Sequence, residues 1–300
     1  MKVLYRHVDI LNHHGYKATI LHRVNKFRCD WFQHNTKITY CKTLAALKME
    51  PSDYLVIPEI YGPKISMIRP GIKKIIFNQN AYYTFTGYSL DTLITPYKHP
   101  DIAGTLVVSE DSRRYLRQVY PGLPVHRVWY SVDPSVFYYD WTKKKRQICF
   151  MPRKLPTDAM QVVNILKFRG VLKNYKVIPI EGRHENDVAK ILRESILLFH
   201  FGYQEGLPLP CLEAMASGCL VIGYHGQGGK ELLRTDFSFP IEAGNVIRFA
   251  RTAERVLAMH QETPGIFRQK VKRSMAYVQT HYSREKEINS VLSFWRQIIR

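Results

Sequence analysis

Short runs rich in β-branched and aromatic residues alternate along the whole chain with longer segments whose apolar residues recur every three or four positions. In the first half, "YKATILH" (16–22), "DYLVIP" (53–58), "KKIIFN" (73–78) and "TLVVS" (105–109) predict strands of a parallel sheet. The stretch "EDSRRYLRQVY" (110–120) predicts a helix with Ser109 as its cap. Ahead of residue 16, "VDILNHHG" reads as the end of a first helix closed by Gly15. A doubly wound domain normally opens on a strand and a glycine-rich turn. Neither is visible here, so the first domain is expected to be shortened at its start.

Residues 131–147, "SVDPSVFYYDWTKKKRQ", break the pattern and are read as a linker whose four-residue basic run is solvated. The alternation then resumes with strand 148–152, helix 157–170, strand "YKVIPIEG", helix "ENDVAKILRES" and strand 196–201. A helix over about 209–217, strand 219–224 and further helices complete it. Right-handed crossovers between such strands make Rossmann-like α/β sheets, and two of them facing one another would leave a cleft at their carboxyl strand edges. The expected domains are 1–131, 132–283 and a terminal helix, 284–300. The apolar face of that helix (Ile288, Val291, Leu292, Trp295, Ile298, Ile299) needs a partner surface.

Composition narrows the function classes. At 300 residues and 45% hydrophobic content the chain can fill two moderate cores, and bulk disorder is excluded. The formal charge of +19 favours anionic partners. It divides into roughly +9 before Ser131 and roughly +10 after it, a spread that does not suit one nucleic-acid groove. Nucleic acid is therefore not an expected partner. The five cysteines form no C-x-x-C pair, which points to reduced thiols in a cytoplasmic protein. No apolar run approaches the ~20 residues of a bilayer span, so membrane contact would be peripheral, to an anionic surface.

The chemistry concentrates in "YQEGLPLPCLEAMASGCLVIGYHGQGGKELL" (203–233). The loop "GYQEGLPLP" follows a strand and precedes a helix, the edge at which open α/β sheets bind ligands. Pro210 suits the first helical turn, and the amides there form an anion site. Phosphate at this helix start would put an attached sugar toward Glu205, ahead of the helix, and a ribose toward Glu213, near its first turn. Carboxylates suit both because they accept strong hydrogen bonds from hydroxyls. "GQGGKE" (226–231) is a second glycine loop at the same edge, whose amides could approach a phosphate.

This stretch resembles the donor-site signature of retaining family 4 glycosyltransferases of group 1 type, which have the GT-B fold. Glu205, Gly206, Leu207, Leu209, Pro210, Leu212, Glu213, Ala214, Met215, Ala216, Gly218, Gly228, Gly229 and Glu231 match. "WYSVDPSVF" resembles the family's hinge, and the terminal helix its helix that crosses back to the N-terminal domain.

The resemblance implies a donor sugar on Glu205, a nucleotide ribose on Glu213 and a diphosphate on a basic pair after the first strand of the second domain. Arg153 stands at the matching place. The family's lysine position holds Asp158, which leaves Lys154 as the candidate substitute. The family's N-terminal cleft histidine has no match. Glu59, Asn78 and Asn80 are the cleft candidates there.

The activity implied is metal-independent, retaining transfer of a sugar from a nucleotide-sugar donor to a glycan, lipid-linked or small-molecule acceptor, with no cofactor. The competing reading is an inactive GT-B-like protein that binds nucleotide-sugars or polyanions.

Overall fold

The computed structural model describes residues 1–299. The chain divides into two compact units, Met1–Tyr130 with Glu285–Arg300, and Ser131–Arg284.

The first unit opens with helix α1 (Lys2–His13), which buries Tyr5, His7, Val8, Ile10 and Leu11 along one stripe. It ends where Gly15 takes φ +84, a conformation that costs glycine little. Strands β1 (Ile20–His22) and β2 (Ile38–Tyr40) follow and pair only with each other. The expected strand 16–22 is thus shorter than its pattern and outside the main sheet. Both short strands are at most half-buried, and their register is supported by a hydroxyl pair, Thr19 Oγ1 to Thr39 Oγ1 at 2.9 Å.

The main sheet of this unit is parallel and ordered β3 (Tyr54–Pro58), β4 (Lys73–Asn78), β5 (Ile102–Val107), β6 (Val125–Arg127). Helix α2 (Glu110–Val119) lies between β5 and β6, and Ser109 caps it by accepting from the Ser112 amide. Within β4 only Lys73 is exposed. Lys74 is buried, and its Nζ donates to Asp101 Oδ2 at 2.9 Å and to the carbonyls of Arg69 and Ile72.

The terminal helix (Arg284–Ile298) packs within this unit, burying Glu287, Val291, Leu292, Phe294 and Trp295. Trp295 Nε1 donates to His7 Nε2 at 2.7 Å, and Tyr54 OH donates to the Ile298 carbonyl at 2.9 Å. Gly104 of β5 is needed here, since a Cβ would stand 3.1 Å from the Phe294 ring. The expected apolar face changes at its edges: Ile299 is exposed, whereas Glu287 is buried and paired with Arg6.

The second unit holds a five-stranded parallel sheet in the order β11-β10-β9-β7-β8. Its strands are β7 (Gln147–Phe150), β8 (Lys176–Pro179), β9 (Leu197–Glu205), β10 (Leu220–Gln227) and β11 (Phe239–Ile241). The helices are α3 (Pro156–Phe168), α4 (Glu185–Glu194), α5 (Leu209–Ala216), α6 (Val246–Glu262) and α7 (Pro264–His281). Phe199 and Phe201 alternate onto the α6 face of β9, where Phe201 stacks on Phe249 with ring centroids 4.7 Å apart. The three inner strands are buried on both faces, as parallel sheets require.

The basic run of the linker is not wholly solvated. Lys144 turns inward, and its Nζ donates to the carbonyls of Leu192 and Ser195 at the end of α4. A helix end leaves carbonyls without intrahelical partners, and a cation satisfies both them and the helix dipole. Four of the five cysteines are buried, Cys41 is partly so, and all are free thiols. Among the described residues no helix is long and apolar enough to cross a membrane.

Candidate functional site

The site is built at the carboxyl ends of β7, β9 and β10. The sequence pattern placed Glu205 in a loop, yet β9 runs through it because β10 extends in parallel and keeps pairing. Gly202 pairs with His225 and Glu205 with Gln227, so β9 carries one extra residue over that interval. This is a β-bulge, and Gln204 accommodates it at φ +47, a conformation rare for residues with a Cβ. The bulge re-aims the side chain that follows, Glu205.

Three glycines from the β10 end close around this strand. A Cβ on Gly226 would stand 2.8 Å from Glu205 Cγ, one on Gly228 2.0 Å from the Gly206 carbonyl oxygen, and one on Gly229 3.0 Å from Pro208 Cγ. Gly228 and Gly229 are buried, so their lack of side chains lets the two loops touch. Gly206 and Leu207 are buried beneath them, and Leu209 and Pro210 begin α5. Glu231, after the glycine pair, is held from α7: its carbonyl accepts from Tyr277 OH, and its Oε1 accepts from Tyr282 OH at 2.8 Å.

From β7 the chain turns through Arg153 and Lys154 into α3. Arg153 is exposed. Lys154 is half-buried and reaches Glu205, Nζ to Oε2 2.7 Å. Asp158 lies in the first turn of α3 and accepts a hydrogen bond from Tyr224 OH of β10 at 2.8 Å. The acid at this position therefore ties α3 to the sheet, while Lys154 directs the positive charge to Glu205.

Helix α5 begins at Leu209, as the pattern predicts, and Glu213 stands half-buried at its fifth residue, just past the first turn. Burial pushes the Cys211 thiol of α5 well above its ordinary range, and the charges of Glu205 and Glu213 both add to that shift. Both carboxylates thus lie close enough to the start of α5 for their charges to be felt at one buried group.

The structure does not leave the candidates of the first unit open to a ligand. Glu59 is 2% exposed, and its two oxygens accept from the Gln79 and Asn80 amides at 3.1 and 2.9 Å, joining the ends of β3 and β4. Burial raises its pKa and those amides oppose the rise. Asn78 donates to Thr84 Oγ1 and Tyr97 OH, and Asn80 accepts from the Tyr82 amide to cap a short 3-10 turn. These three are interior polar staples rather than cleft residues: each satisfies backbone or hydroxyl groups that burial would otherwise leave unpaired.

Two elements of the site escaped the sequence reading. The bulge has no compositional signature, since it depends on the registration of β9 against β10. His200 left a weak signal, as the one polar residue within "ILLFHF". It is buried behind Glu205, and burial lowers its pKa to about 4.

A carboxylate and a cation are paired at the carboxyl edge of a parallel sheet, beside a proline-started helix and a glycine-packed loop pair, the edge at which open α/β sheets bind ligands. Residues 165–274 match the family described as "Glycosyl transferases group 1". An α-1,6-glucosyltransferase of Actinobacillus pleuropneumoniae serotype 7 (strain AP76) is 28% identical over 191 residues, which span 60% of this chain and 55% of that protein.

Among solved structures, the sucrose-phosphate synthase of Thermosynechococcus elongatus superposes with a TM-score of 0.72 at 12% identity, over 99% of this chain and 92% of its own. A glycosyltransferase from Rickettsia africae ESF-5 follows at 0.68 and 10% identity, over 100% and 94%. TarM of S. aureus, solved with UDP among its ligands, gives 0.56 at 13% identity, over 78% of this chain and 52% of its own. The chain spans about half the length of the α-1,6-glucosyltransferase and of TarM. It has an α/β fold with parallel sheets that matches the fold of these solved structures, and its second unit contains the stretch that matches the glycosyltransferase family.

Proposed function

We propose that the chain is a glycosyltransferase that moves a sugar from a nucleoside diphosphate donor to an acceptor hydroxyl with retention at the anomeric carbon. The observation that carries this reading is the Lys154–Glu205 pair at the edge of the sheet, 2.7 Å across. The two groups a sugar diphosphate requires, a cation for the phosphates and a carboxylate for the sugar hydroxyls, already face one point. The likeness to an α-1,6-glucosyltransferase makes glucose the first sugar to test.

In this mechanism the bond between the anomeric carbon and the diphosphate oxygen breaks, and its electron pair leaves with the diphosphate. Arg153, Lys154 and the amides at the start of α5 stabilise that growing negative charge, an electrostatic contribution that is usually large. Glu205 orients the sugar and supports its oxocarbenium-like character, and Glu213 holds the ribose. The acceptor oxygen bonds to the same face of the anomeric carbon, and its proton passes to a donor phosphate oxygen. No side-chain nucleophile and no metal ion is assigned.

The +19 charge fits a cytoplasmic enzyme that builds glycans or surface polysaccharide, with peripheral contact to an anionic membrane. The acceptor is a glycan, a lipid-linked sugar or a small molecule bearing the accepting hydroxyl.

A thermal-shift screen with UDP, GDP, ADP, dTDP and their glucose conjugates tests the reading. The matching nucleotide at 100 times its dissociation constant stabilises by about 2.7 kcal/mol. Transfer to an oligosaccharide acceptor, with the product's anomeric configuration read by NMR, then tests retention. If none of the nucleotides raises the melting temperature, the reading is overturned.

A further inference from the structure

Beneath the site lies a buried group that this mechanism does not use. His200 is 5% exposed, and its Nε2 has no hydrogen-bond partner among the described residues. Interior polar atoms of native proteins are nearly always paired, and leaving one unpaired is destabilising. The strand is fixed at this point: a Cβ on Gly223 of β10 would stand 2.1 Å from the His200 carbonyl oxygen.

The ring points along β9 toward Gly202. A Cβ there would stand 2.3 Å from His200 Nε2 and 3.0 Å from Glu205 Cγ, so Gly202 opens the gap across which the imidazole and the Glu205 side chain face each other. The charges that act on the ring are those of Glu205 and Lys154. Burial keeps the imidazole neutral, which lets it donate a hydrogen bond without adding a second positive charge to the site.

Resting on the glycosyltransferase reading above, we infer that His200 is a positioning residue for Glu205: its Nε2–H takes over the Glu205 carboxylate when Lys154 is drawn onto the donor diphosphate. In this structure Lys154 occupies that carboxylate. A diphosphate competes for the lysine, and a carboxylate released by its cation would swing away from the sugar unless a second donor holds it. The bulge brings Glu205 back over Gly202, where that donor stands.

The test uses His200→Leu and His200→Gln in the full chain, with the nucleoside diphosphate and sugar conjugate that stabilise the wild type. His200→Leu should bind the nucleoside diphosphate within about twofold of wild type and lose turnover at saturating donor by about tenfold to a hundredfold, the worth of one hydrogen bond to a charged group. His200→Gln, which keeps an N–H donor, should recover most of that loss. Folding of the variants is bypassed by long-range 15N NMR of the histidine rings in the wild-type protein. The His200 ring should carry its proton on Nε2, and that resonance should shift when the nucleoside diphosphate is added. In Lys154→Met it should stand near its shifted position before any addition.

Turnover of His200→Leu within twofold of wild type overturns the inference, as does a ring protonated only at Nδ1 or an Nε2 resonance indifferent to nucleotide. A wild-type protein that no nucleoside diphosphate stabilises overturns the glycosyltransferase reading, and the inference with it.

Discussion

Lys154 and Glu205 hold each other across the gap between the β7–α3 turn and the end of β9, Nζ to Oε2 2.7 Å. The two side chains are 25% and 16% exposed, so both keep some water and the net contribution of the pair to stability is small, its Coulombic gain largely offset by desolvation. Lys154→Met should therefore leave the melting temperature nearly unchanged while weakening UDP, or whichever diphosphate binds, by about tenfold or more. The matching nucleoside should bind as before. Calorimetry on the two ligands decides the point, and equal losses for both would remove Lys154 from the diphosphate site.

Glu205→Gln keeps the volume of the side chain and removes its charge. Transfer should fall by about a hundredfold or more, the range seen when one preorganised electrostatic group is lost. Binding of the sugar-free diphosphate should not weaken, because Lys154 is freed of its partner. Single-turnover rates beside binding isotherms make the comparison, and a variant that transfers at the wild-type rate would sink the assignment.

The glycine pair yields a stability contrast. In Gly228→Ala the new methyl group would stand 2.0 Å from the Gly206 carbonyl oxygen, so one loop must move. A loss of about 2 kcal/mol or more is expected, together with weakened nucleotide binding. Gly265, near the start of α7, has nothing within 4 Å of its would-be Cβ. Gly265→Ala should stabilise by about 0.5–1 kcal/mol through helix propensity and reduced freedom of the unfolded chain. Urea unfolding of both variants checks the sign and the order.

Acid sensitivity should arise in part from His7, whose pKa burial lowers from 6.5 to about 4. Above pH 6.5 the ring is neutral in folded and unfolded chains alike. Between pH 6.5 and 4 only the unfolded chain takes up the proton, so stability falls as the medium is acidified, by on the order of 3 kcal/mol at pH 4. His7→Gln can still accept from Trp295 Nε1 but does not titrate. The stability lost between pH 7 and 4.5 should shrink by about 2 kcal/mol in this variant, as measured by urea midpoints at the two values.

The sequence made the second unit legible almost element by element, because its strands are buried runs with helices of clear period between them. Strand 73–78 of the first unit was equally plain, with β4 covering the same residues. What failed was whatever depends on pairing rather than on pattern. The short strands β2, β6 and β11 have three residues each, too few to show a period.

The site was legible to the same degree. Glu205, Gly228 and Gly229 were recognisable from their spacing, whereas the partners that give them meaning came from three-dimensional neighbours: Lys154 on Glu205, Tyr224 on Asp158, the Gly206 carbonyl against Gly228. Glu59, Asn78 and Asn80 were less legible, because a polar residue at a strand end looks the same in sequence whether it faces a ligand or pairs with buried amides and hydroxyls.

The extra residue of β9 also fixes how this surface can change over generations. Turns at the rim of a sheet usually tolerate insertion and deletion. Here what must persist is the bulge: a ladder that absorbed the extra residue as regular strand between Gly202 and Glu205 would carry the carboxylate to the opposite face, away from both Lys154 and His200. The stretch is free to vary in composition at Tyr203, which is exposed, provided the paired ends on either side of the bulge are kept.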